Sequence, residues 1–210
     1  LQDYYDQAVL KIYNNGIRQI PITTVVDGKK TNLSVPIRDL IPPNDESLGA
    51  QVAREAMWLV GLGYNEKAGQ GYYSNMNIDC SKLVTWAITE VDIDLGTYGL
   101  SKKAEYQMAA IKKTVWPDES NLDYKQVKKE PGDTLYWIGD ESGEIKHTAI
   151  YIGLDKYDNP LMIEAGTTVK ILPVRKHTAN SNGEGSTLYM IKRMSWEDLR
   201  TNAAKNKNKH

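Results

Sequence analysis

Apolar residues follow two different periods along the chain, and the change of period separates a mainly helical first half from a mainly extended second half. In the first half they recur at helical spacing in four segments. These segments are residues 1–15, 47–60, 80–90 and 101–113. Between the first two, residues 18–40 alternate as strands do, and Asp27-Gly28 supplies a hairpin turn. We therefore predict four helices and one hairpin in this half.

In the second half the period falls to two, which is typical of strands with one buried face. Gly, Asn, Asp and Pro clusters separate the predicted strands. These strands are residues 134–138, 147–154, 161–165, 169–174 and 187–194. Helices followed by strands in this order predict an α+β fold, with helices packed on an antiparallel sheet of about five strands.

The domain organisation follows from length and from the breaks in pattern. A chain of 210 residues buries one substantial core, which we place in residues 46–200. Residues 1–45 are predicted to form a helix and an extended arm, either an accessory hairpin, which we favour, or the end of a linker. The Asn- and Lys-rich residues 201–210 are predicted to be a disordered tail. No stretch approaches the roughly 18 apolar residues of a membrane-spanning helix.

The amino-acid composition limits the classes of partner that the chain is expected to bind. Lys and Arg together number 26 against 27 Asp and Glu, so no overall positive charge favours nucleic acid or an anionic membrane. We therefore expect binding at a local site, by a monomer. Because the chain has a single cysteine, Cys80, it contains no internal disulfide. That cysteine is either a small buried side chain or a reactive thiol.

The position of Cys80 favours reactivity. It follows Asp79, a residue suited to cap the amino terminus of a helix, and apolar residues at helical spacing come next. A thiol ionises more readily at a helix amino terminus or beside an imidazolium. The alternative is an ordinary capped helix whose first turn happens to contain a cysteine.

Three histidines are candidates for the base. His210 ends a polar tail and His177 borders the longest polar loop, where a surface role is expected. His147 begins a strand predicted to be central in the sheet, and a rigid strand fixes an imidazole well. We select His147, with a purely structural histidine as the alternative.

Three short segments, in order, resemble the NlpC-type family of cell-wall cysteine peptidases. They are Asp79-Cys80-Ser81, Pro131-Gly132-Asp133 and the strand from His147 to Gly153. The resemblance covers about residues 50–194. It implies a papain-like core, hydrolysis of amide bonds in peptidoglycan stem peptides without metal or cofactor, and a secreted or cell-envelope location.

In that family a third, polar residue on the following strand orients the imidazole, and the matching position is Glu164. A simple hairpin would place Glu164 opposite Tyr151, about 13 Å along the strand from His147 at about 3.3 Å per residue. A bulge or register shift is required to bring the two together. Without it, Thr167 or Thr168 would lie nearer.

The substrate side of the site is expected near Asp79, Ser81 and Lys82, with the backbone N–H of Cys80 meeting the oxyanion. The family's upstream tyrosine corresponds to Tyr64 or Tyr72, and plain packing of either ring is the alternative. Lys82 stands where the family commonly has glycine. Its ammonium favours the thiolate, meets a substrate carboxylate or, as we expect, points into solvent.

Two further functions fit the same residues. One is an amidase or acyltransferase acting on a lipid or small molecule, because one fold and triad serve several reactions. The other is a non-catalytic module that binds the cell wall. An apolar groove would favour the first, and an unreactive Cys80 would favour the second.

Overall fold

The computed structural model describes residues 18–63, 78–92, 103–179 and 183–207. Within them lie four α-helices and nine strands. The helices are α1 (Leu48–Met57), α2 (Cys80–Val91), α3 (Ala104–Ala110) and α4 (Trp196–Lys207), with a 3₁₀ turn at Ile37–Asp39. The strands are β1 (Gln19–Val26), β2 (Lys29–Pro36), β3 (Lys113–Trp116), β4 (Thr134–Gly139), β5 (Ile145–Leu154), β6 (Pro160–Ala165), β7 (Val169–Pro173), β8 (His177–Ala179) and β9 (Gly185–Arg193).

The strands form one sheet in the order β2-β1-β7-β6-β5-β4-β9-β3, with β8 paired to β9. Every pairing is antiparallel except the one between β1 and β7, which meet in parallel at Ile22 and Ile171. The predicted α+β class and antiparallel sheet are confirmed. The predicted number of about five strands was too low, because the hairpin of β1 and β2 joins the sheet and β3 and β8 add two short strands.

The hairpin of β1 and β2 turns at Asp27 and Gly28, whose φ angles are 49° and 75°. Positive φ at both turn residues matches the twist of the flanking strands. Ile20 and Ile22 of β1 are buried in the core. Residues 19–36 are thus continuous with the sheet, whereas the helix predicted for residues 1–15 lies outside the described residues.

Side chains alternate between two cores on opposite faces of the sheet. One core contains Ile150 and Ile163, which are paired across β5 and β6, and helices α1 and α2 pack over it. The other contains Trp137, Ala149 and Met162. Helix α2, which begins at Cys80, therefore lies across the two strands that carry His147 and Glu164.

The Pro131-Gly132-Asp133 segment makes the turn into β4. Gly132 has a φ of +87°, and a Cβ added to it would lie 2.1 Å from the Cα of Gly49, so α1 and this turn touch backbone to backbone. Asp133 is 1% exposed and accepts hydrogen bonds from Arg193 Nε at 2.8 Å and Nη2 at 2.9 Å. This motif therefore joins α1, β4 and β9.

The expected disorder from residue 201 was wrong for residues 201–207, which continue helix α4. The reason is that Ser195 Oγ accepts the Asp198 N–H at 3.1 Å, while Leu199 and Ala203 are buried against the core. Within the described parts of the chain, no helix combines the length and apolar character needed to cross a membrane.

Candidate active site

Cys80 is the first residue of α2 and is 8% exposed. Asp79 caps the helix, because its Oδ1 accepts the Lys82 N–H at 2.7 Å and the Ser81 hydroxyl at 2.9 Å. The first N–H groups of a helix lack partners within the helix and carry a partial positive charge. The sulfur therefore sits where negative charge is favoured.

We expected the Lys82 side chain to point into solvent, and the structure shows that it does not. Its side chain is only 17% exposed, and its Nζ lies 3.1 Å from Asp79 Oδ2. The carboxylate that caps the helix also attracts the ammonium one turn further on. Lys82 therefore supports the cap, next to Cys80.

His147 lies in β5, opposite Trp137 of β4. The centroids of the two rings are 5.4 Å apart, and Trp137 is fully buried. The Nε2 atom of His147 lies 2.8 Å from Glu164 Oε2, and the side chain of Cys80 is close enough to the imidazole to raise its pKa. Because Nε2 faces Glu164, Nδ1 is the nitrogen left to face the sulfur.

A β-bulge brings Glu164 to His147. Near the hairpin tip Gly153 pairs with Leu161, but Tyr151 pairs with Met162, so Ile152 is an extra residue in β5. Extending the pairing past the bulge puts Glu164 opposite Ala149 rather than Ile150. Glu164 then shares a face with His147 as its diagonal neighbour, within reach of a long side chain.

Arg175, in the segment after β7, is a residue that sequence reasoning missed. Its Nη2 lies 3.0 Å from Glu164 Oε1 and 2.8 Å from Oε2, while Glu164 itself is 2% exposed. Arg175 thus contacts both carboxylate oxygens, including Oε2, which faces His147. The contact depends on how the chain returns after β7, so no local pattern could have revealed it.

The imidazole and the carboxylate shift each other's ionisation. Burial disfavours the charged His147, but hydrogen bonds to Cys80 and Glu164 outweigh it and raise the His147 pKa to about 9. Burial likewise disfavours the Glu164 anion, but His147 and Arg175 outweigh it and lower the Glu164 pKa to about 2. At neutral pH the site therefore contains an imidazolium beside a carboxylate.

Gln107 of α3 was also missed. It is completely buried, and its Nε2 donates to the Ser81 carbonyl at 2.7 Å and to Thr85 Oγ1 at 3.2 Å. These bonds fasten the first turns of α2 to α3. A lone glutamine in a short helix gives no signal of such a role in the sequence.

The remaining candidates fall into two groups. Tyr64, Tyr72 and His210 lie outside the described residues. His177 is exposed, as expected for a surface histidine, and its Nδ1 lies 3.1 Å from Thr187 Oγ1. The described residues contain no cluster of three or more His, Cys, Asp or Glu side chains arranged to hold a metal.

A groove of about 480 Å³ opens beside Arg175. Its cationic lining comes from Lys30, Lys170 and Arg175, between the β1–β2 hairpin and β7. Neither Cys80 nor His147 is among the described residues that line it. The groove therefore lies beside Arg175, the partner of Glu164, rather than beside Cys80.

Comparison with known proteins supports the motif-based resemblance. The sequence model of the NlpC/P60 family matches residues 65–182, more than half of the chain. A search among curated proteins gave no match. Among solved structures, one similar chain is a novel NlpC/P60 endopeptidase from Photobacterium damselae subsp. piscicida, with 20% identity and a TM-score of 0.36. The alignment covers 90% of the present chain and 41% of that one. On the strength of the family match, the chain belongs to the NlpC/P60 family.

Proposed function

We propose that this protein is a cysteine endopeptidase that hydrolyses amide bonds in peptidoglycan stem peptides. One observation carries the proposal. The imidazole of His147 is hydrogen-bonded through Nε2 to Glu164 at 2.8 Å and interacts with the side chain of Cys80, whose sulfur lies at the amino terminus of a helix. A thiol beside a base that an acid orients through a hydrogen bond is the arrangement of a cysteine hydrolase.

In the acylation step the sulfur of Cys80 attacks the carbonyl carbon of the scissile amide, after its proton has passed to His147. An S–C bond forms and the carbonyl oxygen gains negative charge, which the backbone N–H of Cys80 is placed to meet. The C–N bond then breaks, and the imidazolium donates its proton to the departing amine. The products are a free amine and a thioester on Cys80.

Water completes the reaction. His147 takes a proton from a water molecule as its oxygen attacks the thioester carbon, the C–S bond breaks, and a carboxylic acid leaves. The proton returns to the Cys80–His147 pair. Glu164 keeps the ring oriented and favours its protonated form through both steps, without transferring a proton itself.

We infer the substrate class from family membership, because the NlpC-type family is a family of cell-wall peptidases. Stem peptides of peptidoglycan are cross-linked outside the cytoplasmic membrane, so action there places the protein in a secreted or cell-envelope location. We propose that it acts as a monomer, because the three site residues come from one chain.

Digestion of purified cell walls from several organisms, followed by mass spectrometry of the released fragments, tests the proposal and identifies the bond. Cys80→Ala is expected to abolish release, and His147→Ala to reduce it by about 10²–10⁴-fold. His177→Ala is the matched control, because that histidine is exposed, and its release should equal that of the wild type. Undiminished release by Cys80→Ala would refute the assignment.

Labelling with iodoacetamide separates the alternatives if no fragments appear. Rapid alkylation of Cys80 well below about pH 8.5 would indicate a competent thiol acting on another substrate, as in an amidase or acyltransferase. A thiol that stays unlabelled there would indicate a binding module. Because the chain has one cysteine, the label has one possible cysteine target.

A further inference from the structure

The series of interacting side chains in the site does not end at Glu164. Arg175 Nη2 contacts both oxygens of that carboxylate, at 3.0 and 2.8 Å, and the second of these is the oxygen that faces His147 Nε2. The same Nη2 donates to Thr178 Oγ1 at 3.0 Å. Cys80, His147, Glu164 and Arg175 therefore form a continuous series.

The backbone of Arg175 is fixed by a residue that also packs on the histidine. Trp137 Nε1 donates to the Arg175 carbonyl at 3.3 Å, and the Trp137 ring lies against the ring of His147. Next along the chain, the carbonyl of Lys176 accepts the Leu188 N–H at 2.7 Å. The guanidinium thus approaches Glu164 from an anchored segment of backbone.

The contact between Arg175 and Glu164 is an ion pair as well as a packing contact. Glu164 is 2% exposed. Its carboxylate contacts His147, which lies in β5, and Arg175, which lies in the segment after β7. Lys170 pairs with Glu164 in register on β7 but its side chain is exposed, and Cys80 adjoins the imidazole. If His147 were its one effective cationic neighbour, and shared with a thiolate, the buried Glu164 carboxylate would gain a proton readily. Arg175 is a second cation, and it keeps the carboxylate ionised.

We propose that Arg175 is a positioning residue that holds Glu164 ionised and oriented toward His147. The inference rests on the proposed cysteine-peptidase function for its catalytic meaning. Without Arg175, Glu164 takes up a proton at higher pH. A protonated carboxyl group no longer supports the imidazolium, so Cys80 loses reactivity at a higher pH than in the wild type.

The pH profile of iodoacetamide alkylation at Cys80 tests this without any cell-wall substrate. In Arg175→Met the acidic limb of the profile is expected to move to higher pH by about 1–3 pH units. Arg175→Lys keeps the charge and should restore most of the wild-type limb. Arg193→Met is the matched control, because it removes an arginine bound to Asp133 and Glu130 in the same sheet. Its limb should stay at the wild-type pH even if the protein is less stable.

An acidic limb in Arg175→Met that coincides with the wild type, or one that moves equally in Arg193→Met, would overturn the proposal. If Arg175→Met does not fold, Thr178→Val removes only the hydroxyl that accepts from Nη2. It should then shift the limb in the same direction by a smaller amount, and no shift would also overturn the proposal. Failure of cell-wall digestion with a shifted limb refutes the proposed substrate and leaves the role of Arg175 standing.

Discussion

Glu164 and His147 stabilise the fold over a defined range of pH. The Glu164 pKa is lowered from 4.5 to about 2, so its contribution is complete above pH 4.5 and is lost as the pH falls toward 2. The His147 pKa is raised from 6.5 to about 9, so its contribution is complete below pH 6.5 and is lost as the pH rises through 9. Both contributions are complete together only between pH 4.5 and 6.5.

We therefore predict that the pair stabilises the protein most between pH 4.5 and 6.5. Glu164→Gln should lower the free energy of unfolding in that window by about 3 kcal/mol, because it leaves buried His147 and Arg175 without their anion. Urea denaturation of both proteins across the pH range measures this difference. The difference should shrink toward either end of the range, and a difference independent of pH would contradict the argument.

At the scale of the elements, the sequence predicted well those features that repeat. Strands β4 to β7 were found within two residues of the predicted bounds, because alternation over five or more residues is a strong signal. Strands β3 and β8 span four and three residues, too few to show a period.

The geometry of the site was less predictable. Cys80 and His147 could be chosen from one sequence, because a helix start and a strand start can be recognised locally. The place of Glu164 depends on the extra residue Ile152, and a period of two cannot reveal a bulge before the partner strand is known. Arg175 depends on tertiary structure entirely.

The contact between Gly49 of α1 and Gly132 before β4 yields a second prediction. Gly132→Ala should lower the free energy of unfolding by about 2–4 kcal/mol. Two causes add, since the new Cβ would lie 2.1 Å from the Cα of Gly49 and φ is +87°. Chemical denaturation measures the loss.

Gly143→Ala separates these two causes. Gly143 also has a positive φ, +66°, but a Cβ there meets nothing within 4 Å. Gly143→Ala should lower the free energy of unfolding by only about 1 kcal/mol, because backbone strain is the one cost there. Equal losses in the two variants would show that the close approach of α1 adds nothing.

At the scale of the whole molecule, a polar cluster ties the amino-terminal hairpin to the rest of the sheet. Asp155, at the end of β5, is 6% exposed and accepts hydrogen bonds from Thr24 Oγ1 of β1. It also accepts the Tyr157 and Asn159 N–H groups, at 2.8 and 3.0 Å. Asn159 Nδ2 in turn donates to the Val25 carbonyl at 2.8 Å. The hairpin and the β5–β6 loop therefore hold each other in place.

We predict that the hairpin unfolds together with the rest of the protein in a single transition. Asp155→Ala should lower the free energy of unfolding by about 3 kcal/mol, because it removes the acceptor of several charge-assisted hydrogen bonds. It should also speed hydrogen exchange of the β1 amides. Asp158→Asn in the same loop keeps a residue that tolerates the φ of 62° and should change stability little. Separate transitions for hairpin and core in the wild type would refute this coupling.

The bulge at Ile152 has a consequence for changes in chain length. In a plain hairpin, adding or removing one loop residue turns every side chain of a strand to the other face. Here β5 carries one residue that has no partner in β6, between the paired Tyr151 and Gly153. A chain with one residue fewer between Tyr151 and Met162 and no bulge would keep a loop of the same length and present the same histidine and glutamate on the same face. The bulge thus lets the segment between these two strands vary in length by one residue while His147 and Glu164 stay aligned.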